Sequence, residues 1–445
     1  MNGKYLLKNG TLVNEGRSGT SDIKIQNGRI SKIGFGLSAE ENETVIDCGG
    51  LHILPGVIDD QVHFREPGLT HKANIYSESR AAIAGGVTSF MEMPNTKPTT
   101  TTRQELVNKL ALAKDRSWAN YSFFFGATND NFEEVVSVDP LQVAGIKIFM
   151  GSSTGNMLVD NSATLEKIFS STSLVITTHC EDEQTTRDNL ALAKKQFGEN
   201  IPFNQHPIIR SREACYLSSS LAIGLAKKHG TNLHVLHLTT AEELAQFEAG
   251  PMAGKKITAE VCVHHLWFDD TDYERLGGLI KCNPAIKKAS DKEALWKALL
   301  EDRIDIIATD HAPHTWEEKQ NLYENCPAGL PLVQHGLEMM LHKVNQNKIT
   351  IEKVVEKMCH RPADRFQVFE RGYLREGYWA DISIVDKNKE DQIRKENSLY
   401  LCAWTPLEGS FLKGKNIRTF VNGNLVFENG VIMDQPIGKQ IIFNR

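Results

Sequence analysis

Apolar and polar positions divide the chain into two kinds of segment. Residues 1–53 carry short stretches in which apolar and polar residues alternate, such as DIKI and RISKI, separated by Asn-Gly pairs. The C-terminal part repeats this pattern in ADISIVD and RTFVNGNLVFENGVIM. Alternation with a period of two predicts strands, and Asn-Gly pairs favour tight hairpin turns. We therefore expect one small β-sandwich domain formed from residues 1–53 and 376–445.

Between these ends, apolar strand candidates alternate with helical patterns. The eight candidates are LPGVIDDQVHF, GGVTSFMEMP, NYSFFFGAT, VAGIKIFMG, LVITTHCED, LHVLHLTT, ITAEVCVHHL and IDIIATDHAPH. Eight strand and helix units over residues 54–375 predict an α/β fold, a TIM-like (β/α)8 barrel. The active site of such a barrel lies at the C-terminal ends of its strands.

Helices in this central part are predicted from their starts and their apolar faces. Thr240 with Glu243 and Ser290 with Glu293 have the spacing of capping boxes, which begin helices. A further helix is expected between Ser211 and Gly230. One of its faces carries Ala214, Leu217, Leu221 and Leu225.

Composition restricts the class of partner. The 445 residues are 40% hydrophobic and 24% charged, which is ordinary globular usage. A net charge of -6 without a basic tract argues against nucleic acid or an anionic membrane, so we expect a small-molecule substrate. The N-terminal residues lack a secretory apolar core and no apolar run could span a bilayer, which favours a cytoplasmic location. The eight cysteines form no CxxC pair and are expected to be reduced and packed.

Five of the predicted strands end in a residue that can bind a divalent metal. These residues are His63, Lys147, His179, His237 and Asp310. Most of the 15 histidines of the chain should be packed or on the surface, so the prediction depends on the joint placement of these residues at one rim. Imidazole and carboxylate there suit zinc or a similar ion with an open position for water.

Two of the five residues have alternative interpretations. A protonated amine offers no lone pair, so Lys147 either pairs with Asp310 or is carbamylated by carbon dioxide into a carboxylate-like bridge between two metals. Asp310 could instead cap the following helix. His264 and His265 are adjacent on the seventh strand and should point to opposite faces, so we leave both out of the predicted site.

Seven motifs occur in order along nearly the whole chain. They are PGVIDDQVHFREPG, EMPNT, GIKIFMGSSTG, THCED, HVLHLTT, CNPAIK and ATDHAPH. In this order they resemble the cyclic amidohydrolases, and most closely the dihydroorotases. The resemblance implies the reversible hydrolysis of the cyclic amide of dihydroorotate to N-carbamoyl-L-aspartate, a step of pyrimidine biosynthesis.

The resemblance also implies roles for the strand-end residues. His179 and His237 would hold one zinc ion. His63 and Asp310 would hold a second, and a carbamylated Lys147 would bridge the two. Asp310 would in addition act as general base and then as general acid.

Substrate choice is expected to depend on Arg65. Arg65 lies two residues after His63 and is therefore expected on the same face of the strand. Its guanidinium offers a planar fork to the dihydroorotate carboxylate. Allantoin, hydantoins and dihydrouracil are neutral. The resemblance adds Asn95 and His314 as carboxylate contacts and Asn283 as a substrate contact. In the alternative, Arg65 pairs with Glu66 on a surface loop and Asn95 is a turn residue.

The chain departs from the family pattern at its first strand. Similar enzymes have His-x-His there, whereas this chain has Gln61-Val62-His63. An amide oxygen is a poorer zinc ligand than imidazole, so the His63 side should bind metal more weakly. Either Gln61 or Asp59, which would share its strand face, could complete the coordination, or one ion could suffice.

Several functions therefore stay open at this stage. The sequence favours an active dihydroorotase with an atypical metal site. The alternatives are an inactive homologue that serves as a structural partner of aspartate carbamoyltransferase, and another cyclic amidohydrolase such as an allantoinase or a dihydropyrimidinase. A homo-oligomer, by base rate a dimer, is expected.

Overall fold

Both chain ends build one sheet. The computed structural model describes residues 3–151, 156–433 and 435–445. In these ranges the N-terminal strands are β1 (Tyr5–Asn14), β2 (Arg17–Gln26), β3 (Arg29–Gly34), β4 (Thr44–Asp47) and β5 (His52–Pro55). C-terminal strands, numbered after those of the barrel, are β15 (Ile382–Gln392), β16 (Phe411–Val421), β17 (Asn424–Glu428) and β18 (Val431–Ile432). The order β18-β17-β16-β15-β5-β1-β2-β3, with β4 beside β1, joins the two ends through the antiparallel pair β5 and β15.

The central part forms the barrel. Its strands are β6 (Val57–Val62), β7 (Val87–Glu92), β8 (Asn120–Phe123), β9 (Phe125–Gly126), β10 (Ile146–Phe149), β11 (Ile176–His179), β12 (Leu233–Val235), β13 (Ile257–Cys262) and β14 (Ile306–Ala308). β8 and β9 are two parts of the third barrel strand, so the eight predicted strands are all present. All neighbours pair in parallel, and a bridge between Val62 and His311 closes β6 against the end of β14. The predicted fold class is confirmed.

Helices follow the barrel strands. Within the described ranges they are α1 (Ile75–Ala84), α2 (Arg103–Ala113), α3 (Phe132–Ser137), α4 (Ser162–Ser171), α5 (Glu183–Phe197), α6 (His206–Ile209), α7 (Arg212–His229), α8 (Tyr273–Leu276), α9 (Ala289–Leu300), α10 (Trp316–Lys319), α11 (Gly336–Asn345), α12 (Ile351–Val355) and α13 (Arg361–Phe366). No helix in the described part of the chain combines the length and the apolar character that crossing a membrane requires.

Alternate strand positions supply two apolar cores. Val57 of β6 and Val235 of β12 contribute to the large core between strands and helices. Ile58 of β6 and Leu236, next to β12, contribute to a second core, to which α13 adds Phe366. This division follows from the alternation of side chains along a strand.

Neither expected capping box begins an α-helix, and two of the four residues on the expected apolar face of α7 are exposed. α9 begins at Ala289 with Lys288 as its N-cap and no side-chain cap, so Ser290 does not begin it. Thr240 does donate a hydrogen bond to Glu243, over 2.7 Å, but only a short 3-10 turn follows. On α7, Leu217 and Leu221 are each 47% exposed, because the helix packs through small residues. The packed residues are Ala214, Cys215, Ser218, Ser219, Ala222, Ile223 and Ala226.

Candidate active site and metal centre

A cavity of about 630 Å³ opens at the C-terminal ends of the barrel strands. Its lining brings together every predicted site residue except Asp59: Gln61, His63, Arg65, Asn95, Lys147, His179, His237, Asn283, Asp310 and His314. The end of the GIKIFMGSSTG motif, residues 152–155, lies outside the described residues. The parallel strands explain this convergence, because residues in or just after the C-terminal parts of these strands reach the same rim.

His179 and His237 lie side by side at the barrel mouth, because β11 and β12 are paired strands. Nδ1 of His179 lies 3.0 Å from Nε2 of His237. The other ring nitrogen of His179 contacts the Glu181 carboxylate at 2.8 Å, and Glu181 also forms an ion pair with Arg210 at 2.7 Å. Burial alone would raise the pKa of Glu181, but Arg210 and His179 hold it at about 2. A charged carboxylate therefore orients His179, as in many metal sites.

His63 and Asp310 form a second pair. Nδ1 of His63 contacts the amide oxygen of Asn95 at 2.8 Å, and its Nε2 lies 3.2 Å from Oδ1 of Asp310. If Nδ1 donates its proton to Asn95, Nε2 presents a lone pair to a carboxylate oxygen. Two acceptors at this separation require a cation or a proton between them.

Both pairs fit a divalent ion. Two ligands of one zinc ion, each at roughly 2.0–2.2 Å, lie about 2.8–3.6 Å apart at octahedral to tetrahedral angles. The separations of 3.0 Å in the His179–His237 pair and 3.2 Å in the His63–Asp310 pair agree with this spacing. These four residues could thus hold metal with the donor atoms that zinc prefers.

Gln61 and Asp59 do not offer comparable ligands. The Nε2 group of Gln61 donates to Asp310 over 3.2 Å, so an amide nitrogen rather than an oxygen points toward the acid. Asp59 accepts hydrogen bonds from the backbone and the hydroxyl of Thr309, at 3.2 and 2.5 Å. The expected common face of the two residues is interrupted, because the β6 register is irregular between Asp59 and Val62.

Lys147 reaches the cavity from β10 and is buried. No carboxylate of the described residues lies within 4 Å of its amine, so the predicted pair with Asp310 is not formed. Nζ lies 4.6 Å from the centre of the Phe149 ring. Burial lowers the pKa of Lys147 to about 7, and a neutral amine has the lone pair that reaction with carbon dioxide requires.

Arg65 and His314 form a basic wall of the cavity. Nε of Arg65 donates to the carbonyl of Pro313 at 3.0 Å, and its terminal nitrogen lies 3.0 Å from Nε2 of His314. Lys72 contacts the other nitrogen of that ring at 3.0 Å. Burial, and then Arg65, hold the pKa of His314 well below its usual range, so this ring is neutral. Glu66 forms its ion pair with Arg116, at 2.8 Å, and not with Arg65. The alternative in which Arg65 pairs with Glu66 on a surface loop is therefore wrong.

Three of these residues have a left-handed backbone. The φ angles are 68° at Arg65, 40° at His237 and 45° at Asp310. Residues other than glycine adopt this region at an energetic cost, and such strain is concentrated at functional sites. Asp310 does not cap a helix, because the next helix, α10, has Thr315 as its N-cap.

His264 and His265 do not point to opposite faces. They lie in the turn after β13, both buried, with ring centroids 4.2 Å apart. The expected alternation fails because the strand ends at Cys262. Sequence reasoning also missed Glu181, Arg210 and Lys72: Glu181 is part of the THCED motif, but no local signal distinguishes Arg210 or Lys72.

Known proteins resemble this chain over nearly its whole length. The model of the amidohydrolase family matches residues 52–426. Dihydroorotase from Pyrococcus abyssi is 32% identical over 433 residues, 97% of each chain. Dihydroorotase from Bacillus licheniformis is 33% identical over 432 residues, 96% of this chain and 99% of the relative.

Solved structures with a similar fold bear the names of other cyclic amidohydrolases. L-hydantoinase (dihydropyrimidinase) from Arthrobacter aurescens superimposes with a TM-score of 0.94 at 26% identity, covering 99% of this chain and 100% of that one. Dihydropyrimidinase from Brevibacillus agri, at 23% identity and a TM-score of 0.89, supports the fold alone; the match covers 99% and 100% of the two chains.

Proposed function

The chain belongs to the amidohydrolase family, and within this family of metal-dependent cyclic amidohydrolases we propose that it interconverts dihydroorotate and N-carbamoyl-L-aspartate. Its substrate is a small molecule. The names of the curated relatives support dihydroorotate, whereas the solved structures bear the names of hydantoinases. The choice between these substrates therefore has to be argued from the cavity.

A single observation favours a cyclic substrate that bears a carboxylate. Arg65 is buried without an acidic partner. No carboxylate of the described residues lies within 4 Å of its guanidinium, which contacts only the Pro313 carbonyl and the His314 ring. Burial lowers its pKa to about 10, so it is still charged near neutral pH. A buried unpaired cation is costly, and the carboxylate of dihydroorotate would relieve that cost.

The other cavity residues support the same assignment. Four arginine and lysine side chains besides Lys147 line the cavity; Arg210 and Lys72 are paired with Glu181 and Glu318, and no such pair within 4 Å is formed by Arg65 or Lys97 in the described part of the chain. These two cations favour an anion over a neutral hydantoin or dihydrouracil. We assign Asn95 and His314 to the carboxylate side of the substrate, and Asn283 to a further substrate contact.

We propose that His179 and His237 hold one zinc ion and that His63 and Asp310 hold a second. Lys147, carbamylated by carbon dioxide, would lie between them; its amine nitrogen bonds to the carbon of carbon dioxide and loses a proton. The bound metal would supply Lewis-acid polarisation of the ring carbonyl and a more acidic water. The second ion would bind more weakly than the first, because Gln61 stands where similar enzymes have a histidine ligand.

Asp310 is the proposed proton carrier. Its carboxylate lines the cavity, within 3.2 Å of both His63 and Gln61. In ring opening it would accept a proton from the attacking water and then deliver it to the ring nitrogen as that nitrogen leaves. Ring closure would use the same two transfers in reverse.

The proposal is tested by assaying the purified protein, supplied with zinc and bicarbonate, for ring closure of N-carbamoyl-L-aspartate. Parallel reactions contain dihydrouracil and hydantoin, and Asp310→Asn serves as the inactive control. We expect turnover of the acidic substrate and little of the neutral ones. Preference for neutral rings would assign the chain to a hydantoinase-like activity. Zero turnover on all of them would favour the inactive structural homologue. The homodimer and the cytoplasmic location stay proposals from the sequence.

A further inference from the structure

A second cluster of residues that could hold a metal ion lies inside the barrel. Asp60 of β6, His234 of β12 and Glu260 of β13 are each fully buried. Nε2 of His234 lies 3.4 Å from Oδ2 of Asp60 and 3.7 Å from Oε2 of Glu260. All three ligand atoms lie within 4.8 Å of one another. None of the three residues lines the cavity at the barrel mouth.

Four polar atoms of this cluster make no hydrogen bond in the described part of the chain. They are both carboxylate oxygens of Asp60, Oε2 of Glu260 and Nε2 of His234. Buried polar groups are almost always satisfied, and buried charges are paired or bind a metal.

The surrounding hydrogen bonds direct acceptors toward one point. Nδ1 of His234 contacts the Thr258 hydroxyl at 2.8 Å, and that hydroxyl donates to the Leu233 carbonyl at 3.4 Å. The hydroxyl oxygen therefore accepts the Nδ1 proton, and the lone pair of Nε2 faces the two acids. Oε1 of Glu260 accepts from the backbone of His237 at 3.2 Å, which leaves Oε2 for the cluster.

The local structure of β6 places Asp60 in the cluster. Asp60 and Ile58 are two residues apart and both face the interior, as expected for a strand. Gln61 nevertheless lines the cavity at the mouth, because the register of β6 is irregular between Asp59 and Val62. The irregularity turns two consecutive side chains inward, one to each site.

We propose that Asp60, His234 and Glu260 bind one divalent transition-metal ion, preferably zinc, at a structural site separate from the barrel mouth. The separations of 3.4 and 3.7 Å are close to the roughly 3.3–3.6 Å expected between tetrahedral zinc ligands. Two carboxylates and one imidazole match the charge and the donor preference of this ion. The ion would join β6, β12 and β13 across the interior. This inference does not depend on the proposed substrate.

Metal counting in a variant without the mouth imidazoles tests the proposal. The full-length chain carrying His63→Ala, His179→Ala and His237→Ala is purified with a chelator, and its metal content is measured by mass spectrometry. We expect about one ion per chain to remain. Adding Asp60→Asn should remove it, whereas Glu338→Gln, which alters another buried carboxylate, should not. A folded mouth-deficient chain without metal would overturn the proposal in favour of a shared proton.

X-ray absorption of the same mouth-deficient protein identifies the ligands. We expect one imidazole with oxygen neighbours. A zinc–sulfur distance of about 2.3 Å would instead place the ion at the buried Cys262, His264 and His265 and would overturn the assignment. If the variants do not fold, an anomalous-scattering map of crystals of the unaltered protein decides. A peak among the three side chains supports the site, and no peak there refutes it.

Discussion

At the scale of single residues, Arg65 is the proposed determinant of substrate choice. It is buried, charged and held from behind by the Pro313 carbonyl and the His314 ring. A guanidinium that is oriented in advance loses little freedom when it binds a carboxylate. The nearby Lys97 also lines the cavity, but it is exposed to solvent. These two cations should therefore contribute very differently to binding.

We expect Arg65→Ala to weaken dihydroorotate binding by about 2–5 kcal/mol, because the substrate carboxylate loses its desolvated partner. Lys97→Ala, the matched control, should cost less than about 1 kcal/mol. Steady-state kinetics on dihydroorotate and on dihydrouracil measure both effects. An equal loss on the two substrates would mean that Arg65 supports the fold of the cavity rather than recognition of the carboxylate.

Lys147 is the second residue whose environment departs from the ordinary. A buried lysine without an acidic partner is unusual, and its pKa of about 7 provides neutral amine at slightly alkaline pH. As a simple cation it would repel the metal that the surrounding histidines could hold. As a carbamate it would attract that metal.

Lys147→Ala should therefore remove the metal of the barrel mouth and the activity together, with partial rescue by a small carboxylate such as formate. Lys147→Met, which fills the space of the lysine stem, should lose the mouth metal and the activity equally, so a collapsed cavity would not explain the loss. Metal content and turnover are measured on the same samples. Full activity in either variant would contradict the bridging role.

At the scale of elements, strands were easier to predict than the irregularities within them. All eight barrel strands were predicted from apolar runs that end in polar residues, because strands buried on both faces need such runs. The break in the register of β6 carries no comparable signal. The regular alternation of side chains along a strand therefore predicted Asp59 on the same face as Gln61. In the structure, Asp59 accepts a hydrogen bond from Thr309, and Asp60 faces the interior.

Helix faces show the same limit of local patterns. On α7 the large Leu217 and Leu221 point outward and small residues pack inward. A close approach of helix and barrel favours small side chains. The size of a side chain therefore decided which residues of α7 are buried more than its apolar character did. Contacts between distant elements, such as the one that brings Arg210 to Glu181, were likewise not predictable from spacing. The candidate site was predictable where it consists of strand ends, and not where it depends on such contacts.

At the scale of the whole molecule, a buried polar network joins the end sheet to the barrel. Asp381 forms an ion pair with Arg371 and accepts a hydrogen bond from the backbone of Asn422, between β16 and β17, over 2.7 Å. Asn120 of β8, a barrel strand, donates to the same carboxylate over 3.1 Å. Arg371 also donates to the side chain of Asn422 over 2.9 Å. One carboxylate thus fixes the barrel, the sheet and the segment between them.

We expect Asp381→Ala to lower the free energy of unfolding by about 3–5 kcal/mol, because Arg371, only 4% exposed, would stay buried without a counter-charge. Asp391→Ala breaks a pair with Lys415 near the surface and should cost less than about 1 kcal/mol. Urea titrations of the two variants and the parent chain measure these changes. Comparable small losses in both would show that solvent reaches Arg371, and that the barrel and the end sheet are held together mainly by their apolar contacts.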